Sequence, residues 1–375
     1  MDAPALIPVN EPLLAGNEKK YLAECIDSGW ISSDGPFVAR FEEAMAARVG
    51  RRHGVAVCNG TAALDVAVEA LGIGPGDEVV LPSFTIISCI AQIVRSGATP
   101  VLVDSDPRTW NMDVRQIEAK ITARTKAIVI VHLYGLPVDM QPVLDLARGR
   151  GLRVLEDAAQ MHGQTYRARP CGGFGDLSTF SFYPNKLVAS GEGGMVLTDD
   201  GGLAASCRSL RNLCFEPGRR FVHERLGWNL RMSNLQAAVG LAQLERLDDF
   251  VARKRAMGRC YSDLLAGCEG VELPPAAADY AESIYWVYGI VLEDSIACDA
   301  AGMIDRLAAL GVGCRPFFCP MHQQPALLKR GLFAGESYPV AERLYRRGFY
   351  LPSGLALTHD QMVRVAEALR TALRR

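Results

Sequence analysis

The feature that most restricts this chain is a rhythm. From about residue 53, short apolar runs rich in valine and isoleucine alternate with longer stretches of helical period. That is the pattern of a mostly parallel sheet covered by helices. Strands are predicted over 54–58, 78–82, 100–103, 126–131, 152–156, 178–182 and 194–198, and helices near 61–71, 85–96, 139–150 and 202–212. Ser233 is placed to cap one long helix that carries Leu235, Ala238, Leu241, Leu244 and Leu247 and runs on toward Tyr261. After about residue 250 come shorter strands (285–292, 312–317) and helices (301–310, 338–346, 359–373). The expectation is an α/β chain, with a large domain over 1–250 and a smaller α+β domain over 251–375. At 375 residues the two are expected to share one continuous core.

Charge and composition exclude several classes. The formal charge is −2 and the basic residues are dispersed, apart from pairs such as Arg51-Arg52, Arg219-Arg220 and Arg374-Arg375, so a nucleic-acid partner is not expected. The start, Met1-Asp2-Ala3-Pro4, lacks the basic and apolar segments of a secretory signal. The most apolar run, Ala127 to Leu136, is too short to span a bilayer and carries His132. The chain reads as cytoplasmic, with no membrane partner. Its 11 cysteines are odd in number, stand singly in apolar stretches and form no CxxC pair, while the 6 histidines form no ligand cluster. The thiols are expected to be small core residues, and no metal site is expected.

Three stretches carry chemistry. Val154-Leu155-Glu156-Asp157-Ala158-Ala159-Gln160 sets an acidic pair at the C-terminal end of a buried strand, where open α/β sheets place their ligands. Read alone, the pair also suits a cap or a salt-bridged strand end. Ser178-Thr179-Phe180-Ser181-Phe182-Tyr183-Pro184-Asn185-Lys186 brings a lysine just after a strand, with Ser190-Gly191-Glu192-Gly193-Gly194 following. A lysine amine there can form a Schiff base, although an isolated lysine is more often a surface loop residue. Cys58-Asn59-Gly60-Thr61-Ala62-Ala63-Leu64 reads as strand, turn and helix start, whose backbone N–H groups and Thr61 hydroxyl suit a phosphate. By itself it is also an ordinary turn and cap. Together the three supply a phosphate cradle, a carboxylate for a pyridinium nitrogen and an amine for a carbonyl, the needs of pyridoxal 5'-phosphate.

The chain resembles the DegT/DnrJ/EryC1/StrS family of sugar aminotransferases through NGTAAL, GPGDEVVLPSFT, VHLYG, EDAAQ, SFYPNK, GEGGM and WNLRMSNLQAAVGLAQLE, from about Leu13 to the C-terminus. The resemblance implies the fold-type I architecture of aspartate aminotransferase. It makes Lys186 the Schiff-base lysine and Asp157 the partner of the pyridine nitrogen, with Gln160 on the ring hydroxyl and Gly60, Thr61 and Ser181 on the phosphate. It further implies a homodimer with shared sites, in which Asn229 of WNLRM reaches the neighbouring subunit's phosphate. Many relatives carry an aromatic residue where this chain has Ile86, so the residue that stacks on the cofactor ring is left open; Phe84 would have to point the other way to replace it.

The implied reaction moves the amino group of L-glutamate to a nucleotide-linked keto sugar in polysaccharide or O-antigen synthesis. Within the family the motifs, with CRPFFCPMH and Arg219-Arg220, are most similar to the branch that aminates C4 of GDP-4-keto-6-deoxymannose. UDP- and dTDP-linked 3- or 4-keto sugars stay open. Arg315, His322 and His162 are candidate substrate contacts that also suit structural roles. Two rivals remain: the related sugar dehydratases, which have histidine in place of the Schiff-base lysine and against which Lys186 argues, and a non-catalytic α/β binding protein.

Overall fold

In the computed structural model, which describes residues 5–374 apart from 217 and 220, the predicted rhythm closes into a seven-stranded sheet. Its strands are β1 (His53–Val57), β2 (Glu78–Pro82), β3 (Thr99–Val103), β4 (Thr125–Val131), β5 (Arg153–Asp157), β6 (Leu177–Ser181) and β7 (Gly194–Thr198). Each lies within about a residue of its predicted place. The order is β1-β7-β6-β5-β4-β2-β3, and β7 runs against both of its neighbours. The pairs β2–β3, β2–β4, β4–β5 and β5–β6 are parallel. Helices cover the sheet because nearly every residue of β2, β4, β5, β6 and β7 is buried, which leaves neither face for solvent. Among the described residues no helix is long and apolar enough to cross a membrane.

Two expectations need correction. The predicted long helix is two, Asn234–Leu244 and Leu247–Leu264, with Arg246 bent out of helical geometry at φ −106° and ψ 10°. Ser233 caps the first, as expected, in a reciprocal capping box with Gln236. Ala237, Ala238, Leu241 and Leu244 before the break, and Leu247 and Val251 after it, bury in the core of the large sheet, while farther along the second helix Met257 and Tyr261 bury in a separate one. That second core is the other correction, because the apolar interior is not continuous. A four-stranded antiparallel sheet, ordered 271–272, 288–292, 348–351 and 315–316, packs with helices Ala300–Ala309 and His359–Leu373 around Tyr288, Met303, Leu307, Phe349, Val365 and Leu369. Ile7 joins this second core through paired backbone bonds with Gly311 and Gly313, both 2.9 Å. Residue 250 lies inside helix Leu247–Leu264.

The acidic pair that ends β5 illustrates how the sheet assigns roles. Adjacent strand residues face opposite ways, so Glu156 and Asp157 are separated. Glu156, fully buried, accepts the Gly172 and Phe174 N–H groups at 2.6 and 2.8 Å and the His132 Nε2–H at 3.0 Å. His132 Nδ1 in turn accepts the Val138 N–H at 3.0 Å, which fixes the tautomer. Glu156 is thus the pin of the loop behind the sheet. Replacing it by leucine orphans three buried donors; urea unfolding of Glu156→Leu should show a loss of about 3 kcal/mol or more, and a loss under 1 kcal/mol would refute the assignment.

Candidate active site

The carboxyl ends of β1, β4, β5 and β6 converge on a cavity of 420 Å³, as expected where parallel strands end. Asp157 stands at its floor, 4% exposed. Its Oδ1 accepts the Ala159 N–H at 3.0 Å and its Oδ2 accepts the Cys89 thiol at 3.3 Å. Burial pushes the Asp157 carboxyl above the ordinary range, opposed by the Ala159 amide, the thiol and the Lys186 amine.

Lys186 follows β6 in a turn closed by its own N–H on the Tyr183 carbonyl at 2.8 Å. Its amine lies 3.8 Å from the centroid of the Trp286 ring. Burial brings it down to about 8, partly offset by Asp157. Trp286 is itself held at both ends. Its indole N–H donates to the Asn185 carbonyl at 2.7 Å, and its carbonyl accepts the buried Lys254 amine at 2.8 Å. Lys254 also reaches the Ser353 carbonyl, and burial lowers it to about 7.

At the other end of the cavity helix Gly60–Ala70 begins, capped by Asn59, whose Oδ1 accepts the Ala62 N–H at 2.8 Å. The N–H groups of Gly60 and Thr61 have no acceptor among the described residues. Gly60 is required by close approach, since a Cβ there would sit 2.6 Å from the Ser181 Cβ. Gly194 is required likewise, 2.3 Å from the Asn59 carbonyl oxygen. The Thr61 hydroxyl, 3.0 Å from that of Ser88, and the Ser181 hydroxyl complete an anion cradle. Gln160 lines the wall between, its Oε1 accepting the Tyr134 N–H at 2.6 Å, which leaves its amide nitrogen unpartnered among the described residues. A cradle of open amides and hydroxyls, a buried carboxylate and an amine of lowered basicity are the donor set that pyridoxal phosphate requires. The residues fit the cofactor.

Seven of the candidates therefore meet in one cavity: Gly60, Thr61, Ile86, Asp157, Gln160, Ser181 and Lys186. Ile86 stands 42% exposed in its wall, while Phe84 is buried in an aromatic cluster with Tyr134, Phe317 and Phe318 and offers no stacking face. The others are not brought there. Asn229 is exposed and bonded to Arg231 at 3.1 Å. His162 is buried against Phe180 and Phe182, accepts the Val188 N–H at 3.0 Å on Nδ1, and is kept neutral by burial, which lowers it to about 3. His322 sits between Ser83 at 2.9 Å and Glu342 at 3.0 Å, tying the PSFT turn to helix Pro339–Arg347. Arg315 is exposed on a strand beside Tyr350, which lines the cavity. Arg219 pairs with Glu224, and Arg220 lies outside the described residues.

Sequence reasoning missed Trp286, Phe318, Tyr350 and Cys89. The first three come from the C-terminal part and meet the sheet only through the fold, so nothing local marks them. Cys89 was taken for a core thiol, which it is, but its place in helix Ser88–Arg95 points it at the Asp157 carboxylate. A buried group of His132, Glu156 and Cys171 brings possible metal-ligand atoms within 4.8 Å, yet the imidazole nitrogens and both Glu156 oxygens are occupied by protein bonds.

Comparison with known proteins agrees with this geometry. Residues 12–370 match the DegT/DnrJ/EryC1/StrS aminotransferase family. A GDP-perosamine synthase of Caulobacter vibrioides is 44% identical, covering 98% of both chains, and one of Escherichia coli O157:H7 is 41% identical over 97% of both. The crystal structure of the aminotransferase TlmJ from Streptoalloteichus hindustanus superposes with a TM-score of 0.91 at 32% identity, covering 98% of this chain and 99% of that one. With a lysine and a carboxylate lining one cavity, and similarity along almost its whole length, this chain belongs to the DegT/DnrJ/EryC1/StrS aminotransferase family and is a pyridoxal-phosphate-dependent sugar aminotransferase.

Proposed function

We propose that the chain transfers the amino group of L-glutamate to C4 of GDP-4-keto-6-deoxymannose, giving GDP-perosamine. What carries the choice of sugar is the full-length similarity to the two GDP-perosamine synthases above. What carries the chemistry is the Lys186 amine and Asp157 carboxylate in one cavity with an anion cradle.

Bound pyridoxal phosphate supplies the electron sink that lets a proton leave the carbon bearing nitrogen. The residues do the rest. Gly60 and Thr61 amides, with the Thr61 and Ser181 hydroxyls, hold the phosphate; Gln160 orients the ring; Asp157 keeps a proton on the ring nitrogen. Lys186, with its basicity lowered to about 8 by burial, holds the cofactor covalently and afterwards carries the proton away from glutamate's α-carbon. Trp286, Phe318 and Tyr350 wall the site from water. Arg315, exposed and without an ion-pair partner among the described residues, is offered at the rim to the substrate's diphosphate.

Asn229 serves the second subunit of a two-fold dimer. In support, it stands outside its own chain's cavity, and the surface nearby exposes Val222 at 48% and Leu226 at 93%, large apolar side chains suited to a partner's cover.

Three outcomes test this reading. Borohydride reduction of the holoenzyme followed by peptide mapping should put the pyridoxyl group on Lys186, and Lys186→Ala should abolish labelling; a label on another lysine overturns the site. Incubation with glutamate and GDP-, UDP- and dTDP-linked keto sugars, with mass detection, should give an amino product chiefly from the GDP sugar, and preference for a uridine or thymidine sugar would replace the substrate. Finally, Lys186→Ala and Asn229→Ala chains, each inactive alone, should regain about a quarter of wild-type activity after subunit exchange, since half the dimers are mixed and each has one intact site. No recovery with exchange verified by mass would remove Asn229 from the partner's site.

A further inference from the structure

A carboxylate at the floor of an apolar cavity must stay ionised to hold a proton on a ring nitrogen, yet burial acts against it. The groups that favour the charge are the Ala159 N–H on Oδ1, the Cys89 thiol on Oδ2, and the more distant Lys186 and His132. Lys186 helps only while it is protonated, and the reaction requires it neutral. His132 is turned to Glu156 and is charged only if it gains a second proton. Two hydrogen bonds remain, one to each oxygen, and they fix the plane of the carboxylate as well as its charge.

The thiol is itself oriented. Cys89 is 2% exposed in the first turn of helix Ser88–Arg95, and its sulfur accepts the Thr85 hydroxyl at 3.3 Å. Thr85 is 1% exposed. A donor on the sulfur lone pair sends the S–H toward Oδ2, so that Thr85, Cys89 and Asp157 form a one-way chain of hydrogen bonds in a region of low dielectric, where such chains reinforce one another. Burial and the neighbouring carboxylate raise the thiol well above its ordinary range, so it stays a donor throughout the working pH.

We propose that Cys89, oriented by Thr85, is a positioning residue that holds the Asp157 carboxylate ionised and in the plane required by the cofactor's ring nitrogen. The inference rests on the cofactor reading above. It adds a role for a side chain that the sequence gives no reason to separate from the other core thiols.

Two kinds of measurement test it. The infrared S–H stretch of Cys89, taken as the difference between wild type and Cys89→Ala, should be displaced to the lower frequency of a hydrogen-bonded thiol in the cofactor-free protein. A band at the position of a free thiol overturns the proposal without reference to catalysis. In the holoenzyme, Cys89→Ala should raise the pH midpoint of the bound cofactor's visible absorbance by about half a unit or more, because a ring nitrogen less firmly protonated withdraws less charge. The glutamate half-reaction should slow about fivefold to tenfold with KM for glutamate changed less than about twofold, the size expected for one weak donor to a charge. Cys89→Ser, which keeps a donor, should restore most of both, and Thr85→Val should move both in the same direction by less. Loss of visible absorbance in Cys89→Ala but not in Cys89→Ser supports the proposal equally. It is overturned if Cys89→Ala matches wild type in midpoint and rate, or if alanine and serine are equally impaired. Absence of visible absorbance in wild type with added cofactor would instead overturn the cofactor reading itself.

Discussion

The buried carboxylate of Asp157 is the constraint around which the rest of the site is arranged. Placing it 4% exposed at the end of β5 is costly, and the cost is met by specific neighbours: an amide from the turn after the strand, a thiol from the helix after β2, and an amine from the turn after β6. Three separate strand ends must therefore be in register for one side chain to remain charged. The parallel order β2-β4-β5-β6 supplies that register, and the loops are tied to one another by Tyr134 N–H on Gln160 and Val188 N–H on His162. Its partner in sequence, Glu156, shows the same logic on the opposite face, where a carboxylate bonded to two amides and an imidazole holds the loop that closes the sheet from behind.

The C-terminal part of the chain acts on the site through Trp286. Trp286 belongs to the C-terminal half, but its indole N–H bonds the carbonyl next to Lys186 and its own carbonyl is held by Lys254, buried in helix Leu247–Leu264. That helix begins where the chain bends at Arg246 and runs from the first core, at Leu247 and Val251, to the second, at Met257 and Tyr261, with Lys254 between them. A buried ammonium satisfied by carbonyl oxygens is expensive unless both acceptors stay in place. Lys254 thus couples the position of Trp286 to that of Ser353, on the chain segment that follows strand Gly348–Leu351.

What was legible in the sequence was local or repeated. Strand positions follow from apolar runs bounded by turns, and the Ser233 cap from its own residue and Gln236 three places on. Asp157, Lys186 and the Gly60-Thr61 cradle lie in short segments whose chemistry is complete before folding. The bend at Arg246 was not legible, because Leu241, Leu244 and Leu247 keep helical spacing across it and all three bury in one core. Trp286 and Lys254 were hidden because only tertiary packing brings them to the site. His162 and His322 show the converse: each sits near a motif, but strand and turn geometry direct one into phenylalanine packing and the other toward Glu342.

Lys186 and Asp157 are displaced in opposite directions by the same burial, the amine toward neutrality and the carboxyl toward protonation. Chemistry needs only the first of these. An unassisted dry cavity would give a free amine together with a protonated acid, which cannot keep a ring nitrogen charged. The site therefore needs interactions that act on the carboxylate and spare the amine. Hydrogen bonds do this where a nearby cation would not, since a cation close enough to hold Asp157 ionised would also shift the amine, whereas an amide or a thiol acts over one bond length. The Trp286 face, 3.8 Å from the amine, opposes that separation weakly by favouring the ammonium form. With the amine at about 8, the balance leaves Lys186 within reach of both protonation states near neutral pH, as a group that must accept and return a proton in each turnover requires.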